Sequence, residues 1–178
     1  MVEIVGTVAR ARALVHELLR EGDSVLTVSS QTLRESGLEK DINESGRYNA
    51  LRPKMITLRA EGRMKEVRSL GSTPDVVLGS VHAVTEDGRI VVASASGSQI
   101  GPYCYGATRC ILVIGAQKVV PDLTAALKRV ETYAYPLEDL RVNEETGNRS
   151  SLGKILIFNR EWFPNRTTVV IAREVVGF

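Results

Sequence analysis

Three short segments carry the side chains that could do chemistry. Thr27-Val28-Ser29-Ser30-Gln31-Thr32 leads from a strand-like stretch into helical spacing through hydroxyl and amide groups. Ser94-Ala95-Ser96-Gly97-Ser98-Gln99 follows a second apolar run, and Gly97 there lets backbone come close to a ligand. In an open α/β sheet, the carboxyl ends of strands present free backbone N–H groups to ligands. Ser29, Ser30, Gln31 and Thr32, with Gly97, Ser98 and Gln99, are therefore candidates for holding a phosphate or carboxylate. Taken alone, spacing favours the plainer reading of both segments as caps and turns.

The third segment is Thr85-Glu86-Asp87-Gly88, with His82 just before it. Glu86 could serve as a general base, as a carboxylate nucleophile, or as a solvated turn residue beside the Asp-Gly pair. Spacing alone favours the turn, and favours a packed strand position for His82. The other histidine, His16, is distant in sequence, and nothing has metal-ligand spacing, so no metal or other cofactor is expected. Cys104 and Cys110 read as a pair of small buried hydrophobes. No P-loop, GxGxxG fingerprint or Gly-x-Ser-x-Gly elbow occurs.

The elements that must position these residues follow from periodicity. Val8, Ala11, Val15, Leu18 and Leu19 predict an amphipathic helix over about residues 7–20, with Gly22 just beyond it. Ser24–Ser29 reads as a strand, and Thr32-Leu33-Arg34-Glu35 has the form of a capping box opening a second helix. Residues 47–73 show only weak helical spacing. Val76–Gly79 reads as a buried strand, and Glu86-Asp87-Gly88-Arg89 as the turn of a hairpin near residues 82–93. Tyr103 to Ala107 reads as helical, and Cys110 to Ile114 as a strand. Pro121-Asp122 opens a helix through Leu123, Leu127 and Val130, and Pro136 ends it before a further short helix. Ile155–Phe158 and Thr167–Ala172 are closing strands. Strands alternating with helices predict an α/β fold with a mostly parallel sheet and one antiparallel hairpin.

Length and charge narrow the classes. A chain of 178 residues suits one domain, residues 1–178. A formal charge of +2 and 5% aromatic residues argue against nucleic acid as a partner. The apolar runs are far shorter than the roughly 18 residues of a membrane span, and residues 1–12 do not read as a signal peptide, so no membrane partner and a cytoplasmic location are expected. Charge is unevenly spread: residues 52–68 hold six basic side chains (Arg52, Lys54, Arg59, Arg63, Lys65, Arg68) against Glu61 and Glu66. Residues 35–44 hold four acidic ones against Lys40. Two mutually neutralising solvated faces explain this; a basic rim that draws in an anion is the sharper alternative.

Four blocks in order resemble the lactate-utilisation (LUD) domain family. They are Asp75 to Gly88, Ala93 to Gln99, Ile114-Gly115-Ala116-Gln117-Lys118-Val119-Val120-Pro121-Asp122-Leu123, and Phe163-Pro164-Asn165-Arg166-Thr167-Thr168-Val169-Val170-Ile171. The resemblance implies a Rossmann-like sandwich of the NagB/RpiA/CoA-transferase type, whose members bind acyl-CoA or sugar phosphates at strand-to-helix loops. It also implies a bacterial setting beside iron–sulfur proteins that oxidise lactate. Ser29 stands where the family often has glycine, and His82 where many relatives have asparagine. No cysteine follows Cys110, so the chain is not expected to hold a cluster itself. Thr85-Glu86-Asp87-Gly88 is similar to the Ser-Glu-Asn-Gly turn of CoA transferases, whose glutamate forms an acyl-CoA thioester.

Three functions remain open on these grounds. The first is an accessory protein that binds a small anionic metabolite through Ser29–Thr32, His82, Thr85 and Gly97–Gln99. The second is an acyl- or CoA-transfer enzyme with Glu86 as nucleophile. The third is a non-catalytic subunit docked to an iron–sulfur oxidoreductase partner. Oligomeric state stays open, a homo-oligomer included.

Overall fold

The computed structural model describes residues 1–178. Six strands form a wholly parallel sheet in the order β1-β10-β7-β4-β2-β3. They are β1 (Val2–Val5), β2 (Ser24–Thr27), β3 (Asn49–Ala50), β4 (Val76–Gly79), β7 (Arg109–Gly115) and β10 (Thr167–Ala172). The central strands are continuous apolar runs because a parallel sheet is covered on both faces. Alternation along each strand decides which face a residue serves. Val25, Val76, Leu78, Ile111 and Val113 pack under α1 (Val8–Leu18), α2 (Gln31–Glu35) and α3 (Leu38–Glu44). Leu26, Val77, Cys110, Leu112 and Ile114 serve the opposite core, with Leu51 and Met55 of α4 (Leu51–Ala60) and Leu70 of α5 (Met64–Ser72).

That opposite core also receives a second sheet, and here the architecture departs from expectation. The Asp-Gly hairpin forms, pairing β5 (Ala83–Thr85) with β6 (Ile90–Ser94). It does not extend the main sheet. It joins β8 (Val119–Val120) and β9 (Lys154–Phe158) in a four-stranded sheet ordered β8-β5-β6-β9. Ile90 and Val92 face the main core, while Ala83, Val91 and Ala93 face Ala126 and Val130 on the far side. A strand flanked by apolar residues on both faces reads the same in either sheet, so the sequence pattern alone does not assign β9 to its partner.

Local chemistry explains several boundaries. Thr7 caps α1, its hydroxyl accepting from the Arg10 N–H at 3.1 Å. The expected box at Thr32 does not form. Ser30 is the N-cap of α2 and accepts from the Leu33 N–H at 3.4 Å. Asp122 caps α6 (Leu123–Arg129), accepting from the Ala125 N–H at 2.8 Å, so Pro121 stands just before the helix.

Pro136 does not end the helical run, contrary to expectation. A π-turn at Val130–Ala134 links α6 to α7 (Tyr135–Thr146), with the Tyr135 N–H bonded to the Val130 carbonyl. Widening the turn before Pro136 places the proline in the first turn of α7, where a missing N–H is tolerated. Residues 102–106 also form a π-turn, which leaves Cys104 exposed; of the two cysteines only Cys110 is buried.

Candidate functional site

The chain order of the main sheet reverses between β2 and β4, since β3 lies outside β2 and the chain then returns to β4. At such a reversal the loops leaving neighbouring strands diverge and open a crevice beyond their carboxyl ends. A cavity of about 410 Å3 occupies this place. Its walls are Thr27–Thr32 after β2, Ser80–His82 after β4, Lys118 after β7, and Arg52, Met55, Ile56 and Arg59 of α4. The loop from Ala93 to Ser96, with Ser98 and Gln99, roofs it, and Tyr103, Tyr135, Glu138, Ser150–Leu152 and Phe178 complete the lining. This volume suits a small ligand.

The structure brings most of the sequence candidates to this cavity. Ser29, Ser30, Gln31 and Thr32, His82, and Ser98 and Gln99 all line it. Several are already engaged in holding the loops. Ser30 caps α2, Gln31 Nε2 donates to Glu35 at 3.0 Å, and Gln99 Nε2 donates to the Ala93 carbonyl at 3.2 Å. Ser94 Oγ donates to Gln99 Oε1 at 2.9 Å and accepts from the Gly97 N–H at 2.8 Å.

Three candidates lie outside it. Gly97 adopts φ +87°, which explains the glycine, but a Cβ there would sit 2.8 Å from the Lys154 side chain rather than beside the cavity. Thr85 is buried and staples the hairpin turn, accepting from the Arg89 N–H at 2.8 Å and donating to Asp87. Glu86 is exposed at the hairpin tip, its backbone N–H bonded to the Val120 carbonyl. The CoA-transferase-like turn therefore builds a tight hairpin away from the cavity.

Lys118 is the residue that sequence reasoning passed over. It is 2% exposed, and Nζ donates to Thr32 Oγ1 at 2.9 Å and to Ser80 Oγ at 3.2 Å. No carboxylate lies within 4.0 Å of it. Burial, followed by repulsion from Arg129, lowers its pKa to about 7, with Glu35 opposing. The available signal was a single lysine between two apolar runs, Cys110–Gly115 and Val119–Val120.

His82 is held just as firmly. Its Nδ1 accepts from the Ala93 N–H at 3.1 Å, so Nε2 carries the proton of the neutral ring. Burial, then Lys118 and Arg129, pushes its pKa down to about 3. His82 is thus a fixed hydrogen-bond donor rather than a base.

Tyr103 closes the floor. It is 1% exposed and donates to the Ser80 carbonyl at 3.1 Å. A Cβ on Gly79 would overlap its hydroxyl, so glycine at the end of β4 is what lets the ring in. Buried Arg166 fixes the turn that carries Tyr103, donating to the Pro102, Tyr103 and Ala107 carbonyls at 2.9–3.1 Å. The wall near Thr32 is completed by Gly177, at φ +64°, where any side chain would overlap Thr32.

The charge of the lining is positive. Arg52, Arg59 and Lys118 face one acid, Glu138, which Arg141 already holds at 2.6 and 2.8 Å. Of the basic segment 52–68, only Arg52 and Arg59 line the cavity. Arg63 is turned to Glu61 and Glu66 instead. No cluster of three or more His, Cys, Asp or Glu residues could hold a metal, and no helix is long and apolar enough to cross a membrane.

Among solved structures, the fold is similar to that of a DUF162 family protein from Deinococcus radiodurans. The TM-score is 0.55 at 13% identity, over 96% of this chain and 88% of that one. Lower similarities are to eIF2B beta and eIF2B delta from Chaetomium thermophilum, with TM-scores of 0.45 and 0.40 at 19% and 14% identity. These cover 70% and 69% of this chain and 42% and 54% of those chains. No curated protein matches. Residues 1–170, which hold the strand ends and the hairpin around this cavity and the first part of the closing strand, match the LUD domain; the chain belongs to that family.

Proposed function

We propose that the cavity binds a small anionic metabolite, an organic acid or a phosphate compound. The observation that carries this reading is the imbalance of charge around a concave site. Two arginines, Arg52 and Arg59, line it, and its one acidic side chain, Glu138, is already neutralised by an arginine outside the lining. Arg59 lacks an ion-pair partner, and Arg52 shares Glu39 with Arg34 at the longer distance of 3.5 Å. The hydroxyl of Ser29 and the Nε2–H of His82 are uncharged donors on residues that line the same space. The position of Glu86 outside the cavity gives the acyl-transfer reading no support.

Binding of this kind stabilises the folded chain by mass action. Melting temperature measured against a panel of organic acids, sugar phosphates and CoA thioesters should rise with concentration for at least one anionic class. A flat response across the panel at millimolar concentration would overturn the proposal.

A further inference from the structure

Lys118 stands apart from the other cations of the cavity. Arg52 and Arg59 reach solvent, whereas Lys118 is buried on two neutral hydroxyls with no carboxylate within 4.0 Å. A buried ammonium needs a counter-charge, and hydroxyls do not supply one. The amine is therefore inclined to its uncharged form near neutral pH, as its lowered pKa expresses. Of the charged groups acting on it, Arg129 adds to this tendency and Glu35 opposes it. An uncharged primary amine at a cavity wall has a free lone pair, whose characteristic partner is a carbonyl carbon. The neighbouring His82 is neutral, and its protonated Nε2 has no protein partner, which suits a carbonyl oxygen.

We propose that Lys118 condenses reversibly with an aldehyde or ketone that carries a carboxylate or phosphate group, holding it in the cavity as an imine. This rests on the cavity being an anion site and adds the covalent step. The Nζ lone pair forms a C–N bond while the carbonyl π electrons move to oxygen. A proton passes from nitrogen to that oxygen, giving a carbinolamine. The nitrogen lone pair then forms the C=N bond as the hydroxyl leaves, and the remaining N–H proton joins that hydroxyl, so one water is released with no oxidant or reductant consumed. Arg52 and Arg59 meet the anionic group.

The test treats the full chain with pyruvate or with glyceraldehyde 3-phosphate, adds sodium borohydride, and follows intact mass and peptide maps. One reduced adduct per chain on the peptide containing Lys118 is expected, with acetone labelling far less. The probe that labels at lower concentration identifies the anionic group. Label spread evenly over exposed Lys54, Lys65 and Lys128 would overturn the proposal. A rise in melting temperature with no adduct on Lys118 would overturn the covalent step and leave the anion site standing; neither response would remove both. Lys118→Arg keeps a long side chain with N–H donors but has no nucleophilic amine, and should abolish the adduct. If that variant fails to fold by circular dichroism, the peptide map of the unaltered chain decides.

Discussion

Lys118 Nζ donates to Thr32 Oγ1 at 2.9 Å, across a sequence separation of 86 residues. One hydrogen bond thus ties the loop leaving β7 to the first turn of α2, at a wall of the cavity. Thr32 Oγ1 also donates to the Val176 carbonyl at 3.4 Å, so the closing segment of the chain leans on the same pair. The stability of this place is therefore sensitive to the protonation of a single amine.

Replacing Lys118 by methionine removes a pH dependence of known sign. The folded-state pKa is about 7 against an ordinary value of 10.5. Between these values the unfolded chain binds more protons, so the lysine makes stability rise with pH across that window. The methionine variant should be more stable than the parent by a few kcal/mol at pH 7 and below, with the gain shrinking toward pH 10.5. Urea denaturation at pH 6, 8 and 10 measures it; parallel pH profiles would contradict the burial of a free amine.

Gly79 and Tyr103 should behave as a coupled pair. Tyr103→Phe loses the bond to the Ser80 carbonyl and should cost about 1 kcal/mol. Gly79→Ala forces a methyl into the tyrosine hydroxyl and should cost about 1–3 kcal/mol. Because the severest overlap is with that hydroxyl, and only lesser ones with Val28 Cγ2 and the ring remain without it, the alanine should cost less in a chain that already carries Tyr103→Phe. Simple additivity in a double-mutant cycle would show that the ring does not sit against Gly79.

Anion binding should depend on two arginines of α4 and not on the rest of the basic segment. Arg52→Gln or Arg59→Gln should weaken affinity for the best ligand of the panel about fivefold at low salt, roughly 1 kcal/mol, with the loss narrowing as salt screens the parent. Arg63→Gln should leave it unchanged, since Arg63 already holds Glu61 and Glu66. Glu86→Gln should also be neutral. Isothermal titration of the four variants separates these outcomes, and a loss of binding in Glu86→Gln would return the hairpin tip to the site.

Asp41 sets part of the acid limb of stability. Arg12 beside it holds its carboxyl below the usual range, with His16 adding to the effect and burial opposing it. A depressed folded pKa means the contribution is present above the ordinary value near 3.9 and is lost as pH falls through the lower folded value. Asp41→Asn should therefore be about 1 kcal/mol less stable than the parent at pH 6, the gap closing as pH falls through the lowered folded value. An acid titration of thermal stability in both proteins checks the sign.

Much of this molecule was legible because its signals are local. Val76–Gly79 and Cys110–Ile114 are apolar runs with β-branched residues, and Asp87-Gly88 supplies the turn that a hairpin needs. The strands β1, β3 and β8 were not legible, because segments of four or two residues take their strand character from the partner they pair with. The same is true of the π-turn before Pro136. Proline signals a helix end locally, and only the continued packing of Val130 and Ala134 shows that the chain relaxes instead.

By itself, the sequence determined that strands alternate with helices and that polar loops follow two of the strands. It also carried the family, through four blocks whose order survives at low overall identity. The tertiary structure decided which of those loops meet. Ser29–Thr32 and Ser80–His82 meet because β2 and β4 flank the reversal of strand order, and Ser94, Ser96, Ser98 and Gln99 reach the same cavity from the far end of β6 in the second sheet, whereas Glu86 lies at the turn at the opposite end of that hairpin. A lysine two residues after Ala116 is an ordinary cation in sequence; burial on Thr32 and Ser80, far along the chain, is what lowers its pKa to about 7.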